Sequence, residues 1–228
     1  MARGPYYERD GITLFHADCR EMLPTLRADL LCTDPPYGIG VSRRSWQGGR
    51  RNVQKPCRAG LLKGKRPVRC RDYGDYNWDD RPPSRWIFDL MRENTRHQII
   101  FGGNYFPLPP SRCWLVWDKV NGANQFADCE LAWTNFDKPV RKLSWRWNGF
   151  LQQDMKNKEE RVHRAQKPLP LMRWCIEQAP EDCATVLDPY AGSGTTLLAA
   201  RAMGRTAIGI EQEEAFCEMI AKRLESAA

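Results

Sequence analysis

Residues 184–211 constrain the fold more than any other stretch. Ala184-Thr185-Val186-Leu187-Asp188 reads as a short buried strand, and Pro189-Tyr190-Ala191-Gly192-Ser193-Gly194-Thr195-Thr196 as a glycine-rich turn into a helix from Leu197 to Met203. Gly204 stops that helix, and Thr206 to Ile210 make a second strand ending at Glu211. Strand, turn, helix, strand and acid form a βαβ unit of the nucleoside- or dinucleotide-binding kind. Gly192 and Gly194 supply the turn and a close backbone approach. Glu211, 23 positions after Asp188, can accept two hydrogen bonds from ribose hydroxyls. No lysine follows the glycines, so this is not a phosphate-cradling loop, and Leu197 stands where the NAD fingerprint has its third glycine. Asp188 would repel a pyrophosphate and suits a cation. S-adenosylmethionine, with an ammonium and a sulfonium, fits; a turn that serves packing alone is the alternative.

A second stretch ends a strand with chemistry. Leu30-Leu31-Cys32 reads as a buried parallel strand that stops at Asp34-Pro35-Pro36-Tyr37, because proline cannot donate to a sheet ladder. Ligands of open α/β sheets bind at the carboxyl ends of strands. A carboxylate, bare carbonyls and an aromatic ring at such a point can grip a planar base by its amino group, although Asp-Pro-Pro is also an ordinary turn former.

The first 40 residues repeat the β-α-β pattern, with a strand from Ile12 to Phe15, Asp18 at its end, and a short helix from Arg20 to Leu26. Ser84 caps a helix that runs to about Asn94, and strands follow at 98–101 and 113–118. Residues 127–136 and 143–147 alternate at period two, which suggests an antiparallel pair on the sheet's edge. Trp145 and Trp147 interleave with Arg146, either as packing or as a nucleic-acid contact. A helix begins near Pro168, and the tail 215–224 is amphipathic.

Charge is unevenly placed. The formal +7 comes from one segment, 41–71, which holds eleven Lys and Arg and no Asp or Glu; the remainder has 24 basic and 28 acidic residues. By itself such a loop is a solvated linker. Next to a base-gripping kink it is better read as a phosphate-binding insert, with Arg43, Arg44, Arg50, Arg51, Lys55, Lys63, Lys65 and Arg66 as DNA-contact candidates. Nine scattered cysteines without a C-x-x-C pair predict core thiols in a reducing compartment, with no metal site. The absence of a long apolar run predicts a soluble, cytoplasmic protein.

Together, Asp34-Pro35-Pro36-Tyr37, Asp188 to Thr196 and His163-Arg164-Ala165-Gln166-Lys167-Pro168 resemble the motifs of amino-methylating DNA methyltransferases, which modify adenine N6 or cytosine N4. The catalytic motif precedes the cofactor motif, which resembles the permuted β group. Arg164 and Ala165 depart from that group's His-Pro-Thr-Gln-Lys-Pro signature. The resemblance implies a single Rossmann-like α/β domain over 1–228, with a seven-stranded, mostly parallel sheet, helices on both faces and a small target-recognition region around 138–165. It implies S-adenosylmethionine as cofactor and catalysis by Asp34, Pro35, Pro36 and Tyr37. Asp188, Tyr190, Ala191, Gly192, Ser193, Gly194, Thr195 and Thr196 would line the methionine end, Glu211 would hold the ribose and Asp18 the adenine amino group. His163, Gln166 and Lys167 would lie near the methionine or the target base. Double-stranded DNA is the implied substrate, in a bacterial or phage setting, and a homodimer and a cognate restriction nuclease are candidate partners. Aspartate at position 34 favours adenine over cytosine N4. An RNA methyltransferase and a catalytically silent DNA-binding protein are the remaining alternatives.

Overall fold

The computed structural model describes residues 4–40, 77–122, 127–148 and 151–227. The chain divides into two compact units, Met1–Pro35 with Pro83–Ala228, and Pro36–Pro82.

The larger unit opens on a hairpin of β1 (Tyr7–Arg9) and β2 (Ile12–His16). Asp10 and Gly11 between them have φ of 51° and 75°, the positive values that a two-residue type I′ turn demands. The helix α1 (Cys19–Met22) tightens into a 3-10 turn, Leu23–Thr25, at Pro24. Then come β3 (Ala28–Thr33), α2 (Arg85–Glu93), β4 (Thr95–Phe101), β5 (Trp114–Asp118), β6 (Cys129–Thr134), β7 (Arg141–Ser144) and a small ladder of β8 (Trp147–Asn148) with β9 (Leu151–Gln152). The chain closes with α3 (Leu169–Glu177), β10 (Thr185–Asp188), α4 (Thr195–Ala202), β11 (Thr206–Glu211) and α5 (Glu214–Ser226).

One sheet runs in the order β1-β2-β11-β10-β3-β4-β6-β5-β7. Its body is the seven strands from β2 to β5, in which only β6 runs against the rest. β1 and β7 extend the two edges. The antiparallel edge pair expected from 127–136 and 143–147 does not form. Ala132, Trp133 and Thr134 are buried, so β6 takes a neighbour on each side, β4 and β5. Arg141, Lys142 and Ser144 are exposed, so β7 suits an edge, where it pairs in parallel with β5. Trp147 is buried with its indole N–H donated to the Gln166 carbonyl at 3.0 Å, while Arg146 stays exposed. Packing is therefore what the second of the interleaved tryptophans does.

Both faces of the sheet are covered, which is why its strands read as unbroken apolar runs. Leu30, Cys32, Ile99, Phe101 and Val186 share one cluster with Leu171, Cys175, Leu197, Ile220 and Leu224 of α3, α4 and α5. The alternate residues Leu31, Ile100 and Leu187 are just as buried but lie outside that cluster, as do Ile87, Phe88 and Met91 of α2. With period-two alternation this puts α2 on the opposite face. No described helix is long and apolar enough to cross a membrane.

Candidate active site

The sheet order brings four acidic residues to one edge. β2, β11, β10 and β3 are parallel neighbours, and past or at their carboxyl ends stand Asp18, Glu211, Asp188 and Asp34 respectively. Hydrogen bonds lock these ends together. Thr33 donates its hydroxyl to Asp188 Oδ1 at 2.7 Å, and the Tyr190 amide donates to the same oxygen at 3.2 Å. Ala17 N–H donates to the Glu211 carbonyl at 3.0 Å. The Glu211 carboxylate accepts from the amides of Gly192 at 2.8 Å and Glu213 at 2.9 Å. Thr33, adjacent to Asp34, escaped the sequence reading; a hydroxyl at a strand end was its only signal.

Burial pushes Asp188 up to about 6, against hydrogen bonds from Thr196, Thr33 and Tyr190 that oppose the rise. Burial likewise takes Glu211 up to about 7, against amides including those of Glu213 and Gly192. Two carboxylates desolvated to this degree favour a ligand that brings hydroxyl donors or positive charge. That donor set fits the ammonium and ribose of S-adenosylmethionine.

The glycine-rich turn divides its labour. Gly192, at φ 52°, has room: a Cβ there would meet nothing nearer than the Tyr190 carbonyl at 3.8 Å and His163 Cε1 at 3.9 Å. Gly194, at φ 71°, is needed for packing, since its Cβ would lie 2.7 Å from Ile220 Cγ2 on α5. Ser193, Thr195 and Thr196 are buried. Ser193 and Thr195 share a hydroxyl hydrogen bond of 3.0 Å, and Arg223 donates to the Ser193 carbonyl and to Thr195 Oγ1. Ala191 N–H donates to the Ile210 carbonyl at 2.9 Å. Tyr190 is half-buried, its phenol raised by that burial and by Cys19. These residues hold the turn's shape. Gly194→Ala should cost about 2 kcal/mol from combined strain and overpacking, roughly 4–8 °C in Tm by thermal melting. An unchanged Tm would show that α5 is free to move away.

The segment around His163 is buried and pinned. The imidazole sits edge-on to Phe216, with ring centroids 4.8 Å apart. Its Nδ1 accepts from the Ala165 amide at 3.2 Å, which puts the proton on Nε2. Burial and then the charges of Lys167, Arg161 and Arg164 hold His163 down at about 4, so it is neutral at physiological pH. Gln166 uses its side-chain amide on the backbone, accepting from Val162 at 2.8 Å and donating to Glu160 at 3.0 Å. Lys167 donates to Asp34 Oδ2, which brings this segment to the end of β3. At the other end of the edge, Asp18 caps α1 by accepting from the Arg20 amide at 2.9 Å, and it ion-pairs with the Arg20 side chain. Holding an adenine amino group there means sharing that carboxylate with Arg20.

Among the described residues of the unit Pro36–Pro82, Asp79 is buried and holds the turn after Pro36, a role that the sequence reading missed. Asp79 Oδ1 accepts the amides of Tyr37 at 2.8 Å and Gly38 at 3.0 Å. Gly38 has φ 74° and no space for a Cβ beside Pro82. The DNA-contact candidates Arg43, Arg44, Arg50, Arg51, Lys55, Lys63, Lys65 and Arg66 lie outside the described residues.

Among the described residues, His97, Asp182 and Cys183 bring three ligand-type atoms within 4.8 Å of one another. They lie toward the amino ends of β4 and β10, away from Asp34 and Asp188, and Asp182 is ion-paired with Arg96 at 2.8 Å.

Residues 111–223 match a family described as DNA methylase, the N6/N4 methyltransferases. The chain is 41% identical over 261 residues to the type II methyltransferase M2.MboI of Moraxella bovis, covering 96% of this chain and 90% of the relative. It is 36% identical over 269 residues to M2.DpnII of Streptococcus pneumoniae, covering 97% and 92%. Among solved structures, the PvuII cytosine-N4-specific DNA methyltransferase superposes with a TM-score of 0.57 at 14% identity, covering 97% of this chain and 89% of that one. A complex of M1.HpyAVI with SAM superposes with a TM-score of 0.54 at 22% identity, covering 93% and 98%. At those identities the structures bear on the fold alone, which is the Rossmann-like methyltransferase arrangement expected from the sequence.

Proposed function

We propose adenine-N6 specificity for this chain, which belongs to the amino-methylating DNA methyltransferases of the N6/N4 family. The reaction is transfer of a methyl group from S-adenosylmethionine to an exocyclic amino group at a specific site in double-stranded DNA. The observation that carries the reading is the pairing of strand ends: Asp34 follows β3, Asp188 ends the adjacent β10, and Thr33, the last residue of β3, donates its hydroxyl to Asp188 at 2.7 Å. The amino-group acceptor and the cofactor motif therefore share one edge. Aspartate at the first motif position supports adenine over cytosine.

An exocyclic amino nitrogen is a poor nucleophile because its lone pair is delocalised into the ring. The Asp34 carboxylate and the Pro35 carbonyl would accept its two N–H bonds and draw it toward tetrahedral geometry, freeing the lone pair for in-line attack. S-adenosylmethionine supplies an electrophilic methyl group. Asp188 would face its ammonium and Glu211 its ribose, with Gly192 giving the backbone approach. Catalysis is then mainly positioning and electrostatic complementarity, and it uses no cysteine nucleophile. A base inside a duplex must flip out to be reached. The motif assigns Tyr37 to stack on it.

Incorporation of labelled methyl into duplex DNA, followed by digestion to nucleosides, should give N6-methyladenine. N4-methylcytosine in its place would overturn the base assignment, and an unlabelled product would overturn catalysis itself. For the basic insert, each phosphate-contacting arginine neutralised should flatten the slope of log affinity against log salt by about 0.9. An unchanged slope after replacing Arg43, Arg44, Arg50 and Arg51 removes those four arginines from the DNA interface. A homodimer and a cognate nuclease remain part of the proposal on family analogy.

A further inference from the structure

Four charged side chains of alternating sign, Asp34, Lys167, Glu130 and Lys119, contact one another in succession. Lys167 donates to Asp34 Oδ2 and lies 3.1 Å from Glu130 Oε2. Lys119 lies 2.5 Å from Glu130 Oε1. Glu130 belongs to β6, the strand slotted between β4 and β5, and Lys119 follows β5. Aromatic rings wall both ammonium groups: Lys167 stands 5.2 Å from the Phe101 ring and Lys119 5.0 Å from Trp117. Neither Glu130 nor Lys119 falls in any of the three sequence motifs.

We propose that Glu130 is a positioning residue for methyl transfer: braced by Lys119, it anchors the Lys167 ammonium and thereby fixes the orientation of the Asp34 carboxylate. The inference rests on the function proposed above. Buried charges cost several kcal/mol each unless they are paired, so the second carboxylate beside Lys167 has a large effect on where that ammonium sits. Without the Glu130 carboxylate, Lys167 would draw Asp34 more strongly toward itself and weaken its acceptance from the target amino group. Shared between two carboxylates, the ammonium sets the direction of Oδ2 while less of its charge falls on Asp34. The array does not work as a proton wire. Burial alone would lower Lys167, but Asp34 and Glu130 outweigh it and raise the ammonium. Burial alone would raise Glu130, yet Lys167 and Lys119 hold it at about 2. A proton does not pass from so weak an acid to so weak a base.

The test is a double-mutant cycle on the full chain with Glu130→Gln and Lys119→Met, reading kcat, the KM for each substrate and Tm. Glu130→Gln should lower kcat about 10- to 100-fold, with the KM for S-adenosylmethionine within about twofold of wild type. Adding Lys119→Met should cause no further loss, because Lys119 acts only through Glu130. Glu130→Asp, which keeps the charge on a shorter stem, should recover part of kcat, and it carries the test should the glutamine variant fail to fold. Wild-type kcat in Glu130→Gln overturns the inference. So does strict additivity in the cycle, or no difference between Glu130→Asp and Glu130→Gln. Failure of the wild type to methylate DNA would instead strike the function itself, so the two failures are distinguishable.

Discussion

Asp34→Ala should abolish methyl transfer to DNA, lowering kcat by about 10³-fold or more, while S-adenosylmethionine should still bind. The expected size follows from the role. In an uncharged, weakly nucleophilic amino group, the acceptor that reorients the N–H bonds acts most strongly in the transition state, so its loss appears in kcat. Cofactor binding should persist because Asp188 and Glu211 stand on β10 and β11, separate strands from the one that Asp34 follows. Truncation also takes the Asp34 carboxylate away from the Lys167 ammonium, which still lies 3.1 Å from Glu130 Oε2, so some loss of stability should accompany the loss of activity. Asp34→Asn keeps the side-chain shape and separates the two effects. Labelled-methyl incorporation alongside calorimetric cofactor titration reads both, and near-normal turnover by Asp34→Ala would sink the catalytic assignment.

Asp188→Asn should raise the stability of the ligand-free protein at pH 8 while weakening cofactor binding at least tenfold. Asp188 rises from an ordinary 3.8 to about 6 because it is buried. That difference corresponds to about 3 kcal/mol held against the ionised form. The sign follows from linkage. A carboxyl raised on folding contributes stability in full below its unfolded value of about 3.8, and the contribution is lost as pH rises through about 6. Glu211, raised to about 7, acts with the same sign over an overlapping window. The wild-type Tm should therefore fall from these groups between about pH 4 and 7, and the fall should be shallower in Asp188→Asn. Melting curves across that range check it; equal slopes in the two proteins would show that Asp188 does not carry the strain. Such a cost in the folded state is what a site for a cationic ligand entails when the ligand is absent.

Much of the fold was legible because its signals are local. Apolar runs bounded by Asp18, Asp34, Asp188 and Glu211 marked the parallel strands. Gly204, at φ 70°, marked the end of α4, and Ser84 the start of α2. The hairpin at Asp10-Gly11 carried its own turn signal, but β1 is a three-residue strand of Tyr, Glu and Arg with no apolar pattern to follow. β6 and β7 showed the right periodicity and the wrong partnership, since alternation reports a strand's faces and says nothing about its neighbours.

By itself the sequence determined the βαβ units, the motif chemistry at their ends and, through those motifs, the family. Turn geometry and hydrophobic period act within a few residues, so they can be read from a linear chain. Only the tertiary structure decided which charges meet. Lys167 and Asp34 are 133 positions apart, and Thr33 and Asp188 are 155 apart. Their contacts exist because the sheet sets β3 beside β10 and inserts β6, with Glu130, between β4 and β5. Likewise Gly194 reads as a ligand glycine in sequence, and the fold adds a packing demand of its own, because Ile220 of α5 lies against it. Contacts over such distances depend on strand order, and strand order is settled by burial across the whole sheet.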